Sequence, residues 1–115
     1  MPATNAKLIV SGSTASRREI LLHHFPLILG RSPSADVCID DRWVSREHCE
    51  IDADDRGLIV RDIGSKHGTY VNGRLVTDIE LHPGDEISVG LSRFVIEFHI
   101  AADSAKLTEK AYSAR

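Results

Sequence analysis

Two clusters in the middle of the chain have the residue types needed to hold a phosphate without a metal. The first is Gly30-Arg31, followed by Ser45-Arg46-Glu47-His48. The second is Gly68-Thr69-Tyr70-Val71-Asn72-Gly73, with Lys66 and His67 just ahead of it. Each borders a short apolar, β-type run, so each is expected in a loop at a strand end. Together they offer guanidinium groups, a hydroxyl, an ammonium and backbone N–H groups with little side-chain crowding. Phosphate dianions are bound by charge-assisted hydrogen bonds from such donors. Gly30 adds no side chain at the strand end, which leaves Arg31 room to approach a ligand. The planar fork of Arg31 suits two phosphate oxygens at once. Ser45 and His48 also permit a hydrolase reading, with His48 as general base and one of the aspartates as its orienter. No strand–turn–helix elbow surrounds Ser45 and no oxyanion-hole feature stands out. The better reading makes His48 a structural tie. A neutral imidazole has one donor and one acceptor, enough to bind a strand end to a neighbouring loop.

The elements that position these groups must be short strands. A chain of 115 residues suits one domain and buries a core without disulfides or metal. The patterning is of apolar runs broken by turn residues, with no convincing helix in the first hundred positions. The runs are Lys7–Ser11, Glu19–Phe25, Leu27–Gly30, Val37–Ile39, Cys49–Ile51, Leu58–Val60, Glu86–Val89 and Phe94–Ile100. Tyr70 to Val76 contains Asn72-Gly73 between β-type residues. That pair signals a two-residue hairpin, because both positions tolerate positive φ. His82-Pro83-Gly84-Asp85 is a turn. The fold class expected is all-β: an antiparallel sandwich of two packed sheets with ligand-binding loops at one end. A barrel of similar size is the alternative. Residues 1–6 are expected as a flexible N-terminus, 7–100 as the sandwich domain, and 101–115 as a tail or linker.

Charge and cysteine content narrow the classes. The formal net charge is −3 at pH 7, so no global attraction to nucleic acid or an anionic membrane is expected. The placement of Arg31, Arg42, Arg46 and Lys66 in the loops is then more telling than their number. Cys38 and Cys49 lack metal-ligand spacing and are expected as reduced, buried thiols of a cytoplasmic protein. No apolar stretch approaches a membrane span. The scattered histidines suggest no metal site. Trp43, the only tryptophan, sits in a polar loop and is expected to cap the core, with contact to a partner as the alternative.

Taken in order, these pieces resemble the forkhead-associated (FHA) domain. The resemblance runs through Leu27-Ile28-Leu29-Gly30-Arg31, Asp36-Val37-Cys38-Ile39 and Val44-Ser45-Arg46-Glu47-His48. It continues from Asp62-Ile63-Gly64-Ser65-Lys66-His67 through Gly68-Thr69-Tyr70-Val71-Asn72-Gly73 and closes with Leu81-His82-Pro83-Gly84-Asp85-Glu86-Ile87. The order and spacing carry it, not any single piece. Domains of this family read phosphorylated motifs. The resemblance implies a phosphothreonine-peptide-binding module in Ser/Thr-kinase signalling, with no catalysis and no cofactor. Its partner would be a threonine-phosphorylated protein or peptide, such as a Ser/Thr kinase or its substrate. Carried over by position, Arg31 pairs with the phosphate, Ser45 donates its hydroxyl, and Arg46 and Lys66 lie beside them. Gly30, His48, Gly68, Thr69 and Asn72 correspond to residues that shape and support the site. One position departs from the family: His67 stands where an asparagine usually holds the peptide main chain. A flat amide presents donor and acceptor on one group; an imidazole presents them on opposite sides of a ring. His67 therefore replaces one of those two hydrogen bonds more readily than both. This leaves a phosphate-independent interaction scaffold of the same fold as the rival reading.

Overall fold

The computed structural model describes residues 4–11 and 18–100. The tail expected over 101–115 lies outside the described residues. Eleven strands follow one another without a helix among the described residues: β1 (Thr4–Ser11), β2 (Glu19–Leu22), β3 (Leu27–Gly30), β4 (Val37–Cys38), β5 (Cys49–Asp54), β6 (Gly57–Asp62), β7 (Thr69–Val71), β8 (Arg74–Val76), β9 (Asp78–Leu81), β10 (Glu86–Val89) and β11 (Ser92–Ile100). They form two sheets, a six-stranded one in the order β2-β1-β11-β10-β7-β8 and a five-stranded one in the order β4-β3-β5-β6-β9. Of the pairings whose register is defined, all are antiparallel except the short β3–β4 contact. The first strand begins at Thr4, inside the segment expected as a flexible leader, because Thr4 to Ser11 pairs continuously with β11.

Period-2 alternation aims one face of each strand inward. Phe94, Ile96 and Phe98 of β11 are buried in turn, as are Leu58 and Val60 of β6 and Cys49 and Ile51 of β5. Leu8, Leu29, Ile51, Leu58, Ile87 and Ile96 are wholly removed from solvent. Each such side chain contributes about 1.5–3 kcal/mol relative to an exposed position. The Asn72-Gly73 hairpin forms between β7 and β8 as the sequence predicts, with φ of 52° and 83° at the two turn residues. Asn72 also bridges to the β9–β10 turn. Its Nδ2 donates to Asp85 and its Oδ1 accepts the Glu86 N–H, both at 2.9 Å. No helix among the described residues is long and apolar enough to cross a membrane.

Two expectations need correction. Only Cys49 is buried; Cys38 is exposed, because β4 is a two-residue strand at the edge of its sheet. Trp43 does not cap the core: it is 44% exposed. Burial pushes the Cys49 thiol up to about 12.

Candidate phosphate-binding site

Strand order brings the predicted loops to one end of the five-stranded sheet. Antiparallel register sets Leu29 of β3 against Cys49 of β5, and Cys49 against Asp62 of β6. The end of β3, the start of β5 and the end of β6 therefore coincide. From these points leave the loops carrying Arg31, Ser45–Arg46 and Lys66–His67. Backbone bonds tie the first two loops together: Arg31 N–H donates to Ser45 O at 2.9 Å and Ser32 N–H to Arg46 O at 3.1 Å. Gly30 permits the crossing. A Cβ there would lie 2.0 Å from the Arg46 carbonyl oxygen, so only glycine lets the loops pass.

Arg31 is exposed, and its Nε donates to the Val44 carbonyl at 3.0 Å. That bond fixes the plane of the guanidinium while leaving the terminal nitrogens free of it. Ser45 is partly buried, and its Oγ accepts the Lys66 backbone N–H at 2.9 Å. The hydroxyl therefore keeps its own proton for an incoming acceptor. The same bond engages the Lys66 N–H within the protein, so the donor Lys66 has left for a ligand is its ammonium. Arg46, Lys66 and His67 are exposed on the same loops, as is Arg42. None of Arg31, Arg42, Arg46 and Lys66 has a carboxylate within 4.0 Å among the described residues. Four unneutralised cations thus gather at one end of a chain whose net charge is negative.

His48 lies beneath this surface, fully buried. Its Nδ1 accepts the Ser45 backbone N–H at 3.0 Å and its Nε2 lies 2.7 Å from Gly68 O. The acceptor role of Nδ1 puts the ring proton on Nε2, which then donates to the Gly68 carbonyl. His48 thus ties the Ser45 loop to the Gly68 loop. Both ring nitrogens are used, and neither is paired with the Ser45 hydroxyl. A general base must reach the proton it removes; this ring does not face it. Gly68 adopts φ +93°, and a Cβ there would meet Leu75 Cδ1 at 2.6 Å.

Asp62 is the organiser that the sequence reading left unassigned. Its Oδ1 accepts the Gly64 and Ser65 N–H groups, both at 2.9 Å. Its Oδ2 accepts the hydroxyls of Ser65 and of Thr69, the latter at 2.7 Å and fully buried. Ser65 Oγ in turn accepts the Gly68 N–H at 2.9 Å. The signal was present as Asp62-Ile63-Gly64-Ser65, in which an aspartate caps a turn two and three residues on. Asn72 sits apart from this network, at the hairpin end of β7 rather than the Gly68 end.

These bonds have a consequence for acid stability. Burial alone would raise the Asp62 carboxyl, but hydrogen bonds led by those from Ser65, with Thr69 and Gly64, outweigh it and hold it at about 2. A depressed folded-state carboxylate contributes stability that is complete above its unfolded value and is lost as pH falls through its folded value. The contribution is at most about 2 kcal/mol, lost between about pH 4 and about pH 2. Thermal melts are expected to show Asp62→Asn well below wild type at pH 6 and the gap closing by pH 2. A gap independent of pH would mean that the charge of Asp62 is not what holds the loop.

At the outer edge, Trp43 packs edge-on against His67, with ring centroids 5.2 Å apart and planes at 76°. The Arg42 guanidinium lies 5.8 Å from the Trp43 ring centroid. The structure thus joins Arg31, Ser45, Arg46, Lys66 and His67 into one loop surface, and adds Trp43 to its edge.

An FHA domain family model matches residues 27–90, the stretch from β3 through β10 that builds all of these loops. The chain belongs to the FHA domain family. Among relatives of this FHA domain, the oxoglutarate dehydrogenase inhibitor of Corynebacterium efficiens is 37% identical over 95 residues, covering 83% of this chain and 67% of the relative. The glycogen accumulation regulator GarA of Mycobacterium tuberculosis is 36% identical over 95 residues, covering 83% of this chain and 59% of the relative. The match therefore spans roughly three fifths to two thirds of these proteins' lengths. A solved FHA structure from work on phosphothreonine-dependent FHA domain interactions superposes with a TM-score of 0.75 at 30% identity, covering 83% of this chain and 97% of that one. The all-β sandwich expected from the sequence is thus the fold of this FHA domain.

Proposed function

We propose that this FHA domain binds threonine-phosphorylated peptides, and does so as a regulatory interaction module without catalysis. One observation carries the reading. Ser45, held by His48 and by the Lys66 N–H, keeps a free hydroxyl proton on the same loop surface as the fork of Arg31, among cations that have no carboxylate partner among the described residues. A phosphate dianion supplies what that surface lacks: nearly two negative charges and three acceptor oxygens. Arg31 pairs with the phosphate, Ser45 donates to it, and Lys66 and Arg46 add charge beside it. His67 contributes one polar contact to the peptide main chain. The relatives support a regulatory role, since one is an enzyme inhibitor and another a regulator. A threonine-phosphorylated partner in a Ser/Thr-kinase pathway, met in the cytoplasm, fits this chemistry.

The test is calorimetric titration of one peptide in three forms: phosphothreonine, unmodified threonine and aspartate. The phosphorylated form is expected to bind at least about tenfold more tightly than the aspartate form, which has one charge and two oxygens. The unmodified form is expected to bind more weakly still. Equal affinity for all three would favour the phosphate-independent scaffold.

A further inference from the structure

The fork of Arg31 is aimed by a carbonyl, since its Nε donates to Val44 O at 3.0 Å. His48 does not hold that carbonyl; it holds the Ser45 N–H beneath it. Val44 is fixed from the other side, by Asp41. The Val44 N–H donates to the Asp41 carbonyl at 2.9 Å. The Asp41 carboxylate then ties the loop outward. Its Oδ1 accepts the Trp43 N–H at 2.8 Å, a turn closed two residues on. Its Oδ2 accepts the Leu91 N–H and the Ser92 hydroxyl, each at 2.8 Å. Leu91 and Ser92 lie 50 and 51 residues further along the chain, where β10 turns into β11. That turn belongs to the six-stranded sheet, whereas the loop joins β4 and β5 of the five-stranded one. Gly90 permits the approach: a Cβ there would lie 2.9 Å from Oδ2 and 3.0 Å from Oδ1 of Asp41. Burial opposes the charge of Asp41, yet the bonds from Trp43, Ser92 and Leu91 hold its carboxyl below the usual value.

Among the described residues, no other hydrogen bond reaches the Val44 main chain. Asp41 therefore stands one bond from Val44 and two from the guanidinium. A guanidinium whose anchor wanders must be ordered when the ligand arrives, and that cost lowers affinity. We propose that Asp41 is a positioning residue of the phosphate site. It clamps the β4–β5 loop to the β10–β11 turn, holds the Val44 carbonyl in place, and through that carbonyl aims the fork of Arg31. It acts through Arg31 and needs no contact with the ligand. The phosphate end of this inference rests on the phosphothreonine reading above, but the aim of Arg31 is measurable without a peptide.

The test variant is Asp41→Asn, whose amide keeps one acceptor but turns an NH2 group towards donors. In nitrogen-15 NMR spectra of the free full chain, the Arg31 Nε–H should be protected from exchange with water in wild type. It should lose most of that protection in Asp41→Asn. Calorimetry with a phosphothreonine peptide then runs a cycle with Arg31→Lys, which keeps the charge and lacks the fork. Asp41→Asn is expected to weaken binding about fivefold in the wild-type background and less than about twofold in Arg31→Lys. A general loss of stability would weaken both alike, and thermal melts establish that each variant is folded at the temperature of titration. Ser92→Ala, a milder cut of the same clamp, should lie between wild type and Asp41→Asn in both measurements, and it decides the matter if Asp41→Asn does not fold. An Arg31 Nε–H unchanged in the variants, no loss of affinity in the wild-type background, or an equal loss in both backgrounds overturns the role of Asp41 while leaving phosphate capture standing. Failure of wild type to bind the phosphopeptide removes the phosphate reading and, with it, the task assigned to Asp41.

Discussion

Arg31→Ala is expected to weaken phosphopeptide binding at least about a hundredfold while leaving the fold intact. The side chain is exposed, and its one side-chain hydrogen bond among the described residues runs from Nε to the Val44 carbonyl. Losing that bond at the surface costs about 0.5–1 kcal/mol of stability. The loss in binding is larger. Hydrogen bonds to charged groups are each worth about 1.5–3 kcal/mol, and a two-pronged guanidinium–phosphate contact supplies two of them. A hundredfold corresponds to about 2.7 kcal/mol, within reach of that pair. Arg31→Lys keeps the charge but not the fork and should fall between wild type and alanine. Calorimetry with the phosphothreonine peptide, paired with a thermal melt, reads both quantities. Unchanged affinity in the alanine variant would place the phosphate elsewhere.

The second large effect is one of stability. His48→Ala removes a fully buried ring and leaves the Ser45 N–H and the Gly68 carbonyl without their partner. A buried polar group left unsatisfied costs about 1–3 kcal/mol, and the void adds to it. A total of about 3–5 kcal/mol is expected, enough to lower the melting temperature by more than about 10 °C in a domain of this size. Peptide affinity should fall as well, since the Ser45 loop would no longer be tied to the Gly68 loop. A catalytic histidine behaves oppositely: its loss spares stability and removes turnover. A melt unchanged by His48→Ala would therefore contradict the tie between the loops.

The sandwich was legible because its inner strands alternate strictly. Phe94, Ile96 and Phe98, or Leu58 and Val60, announce a buried face, and Asn72-Gly73 announces its turn. What the sequence concealed lies at the sheet margins. The strand Asp78–Leu81 buries only Leu81, so no apolar pattern betrays it. Its formation is decided by pairing with β6 rather than by its own residues. Cys38 and Trp43 were assigned inward because their residue types favour burial, yet an edge strand and a loop tip leave both exposed. In the site, residue type pointed to Arg31, Ser45 and Lys66. The part of Asp62 was hidden because one carboxylate with four donors is a three-dimensional fact, of which sequence shows only the local turn. The engagement of the Lys66 N–H by Ser45 is likewise a contact across 21 residues.

His48 and Asp62 fasten the loops before any ligand arrives, and this bears on timing as well as on strength. A surface already folded need not wait for segments to order, so encounters with a phosphopeptide convert to complexes without a conformational delay. The bare cations above it draw dianions in over roughly a Debye length, which makes the rate of arrival sensitive to salt. Arrival is then nearly alike for every phosphorylated peptide of similar charge. What distinguishes one partner from another is how long it stays.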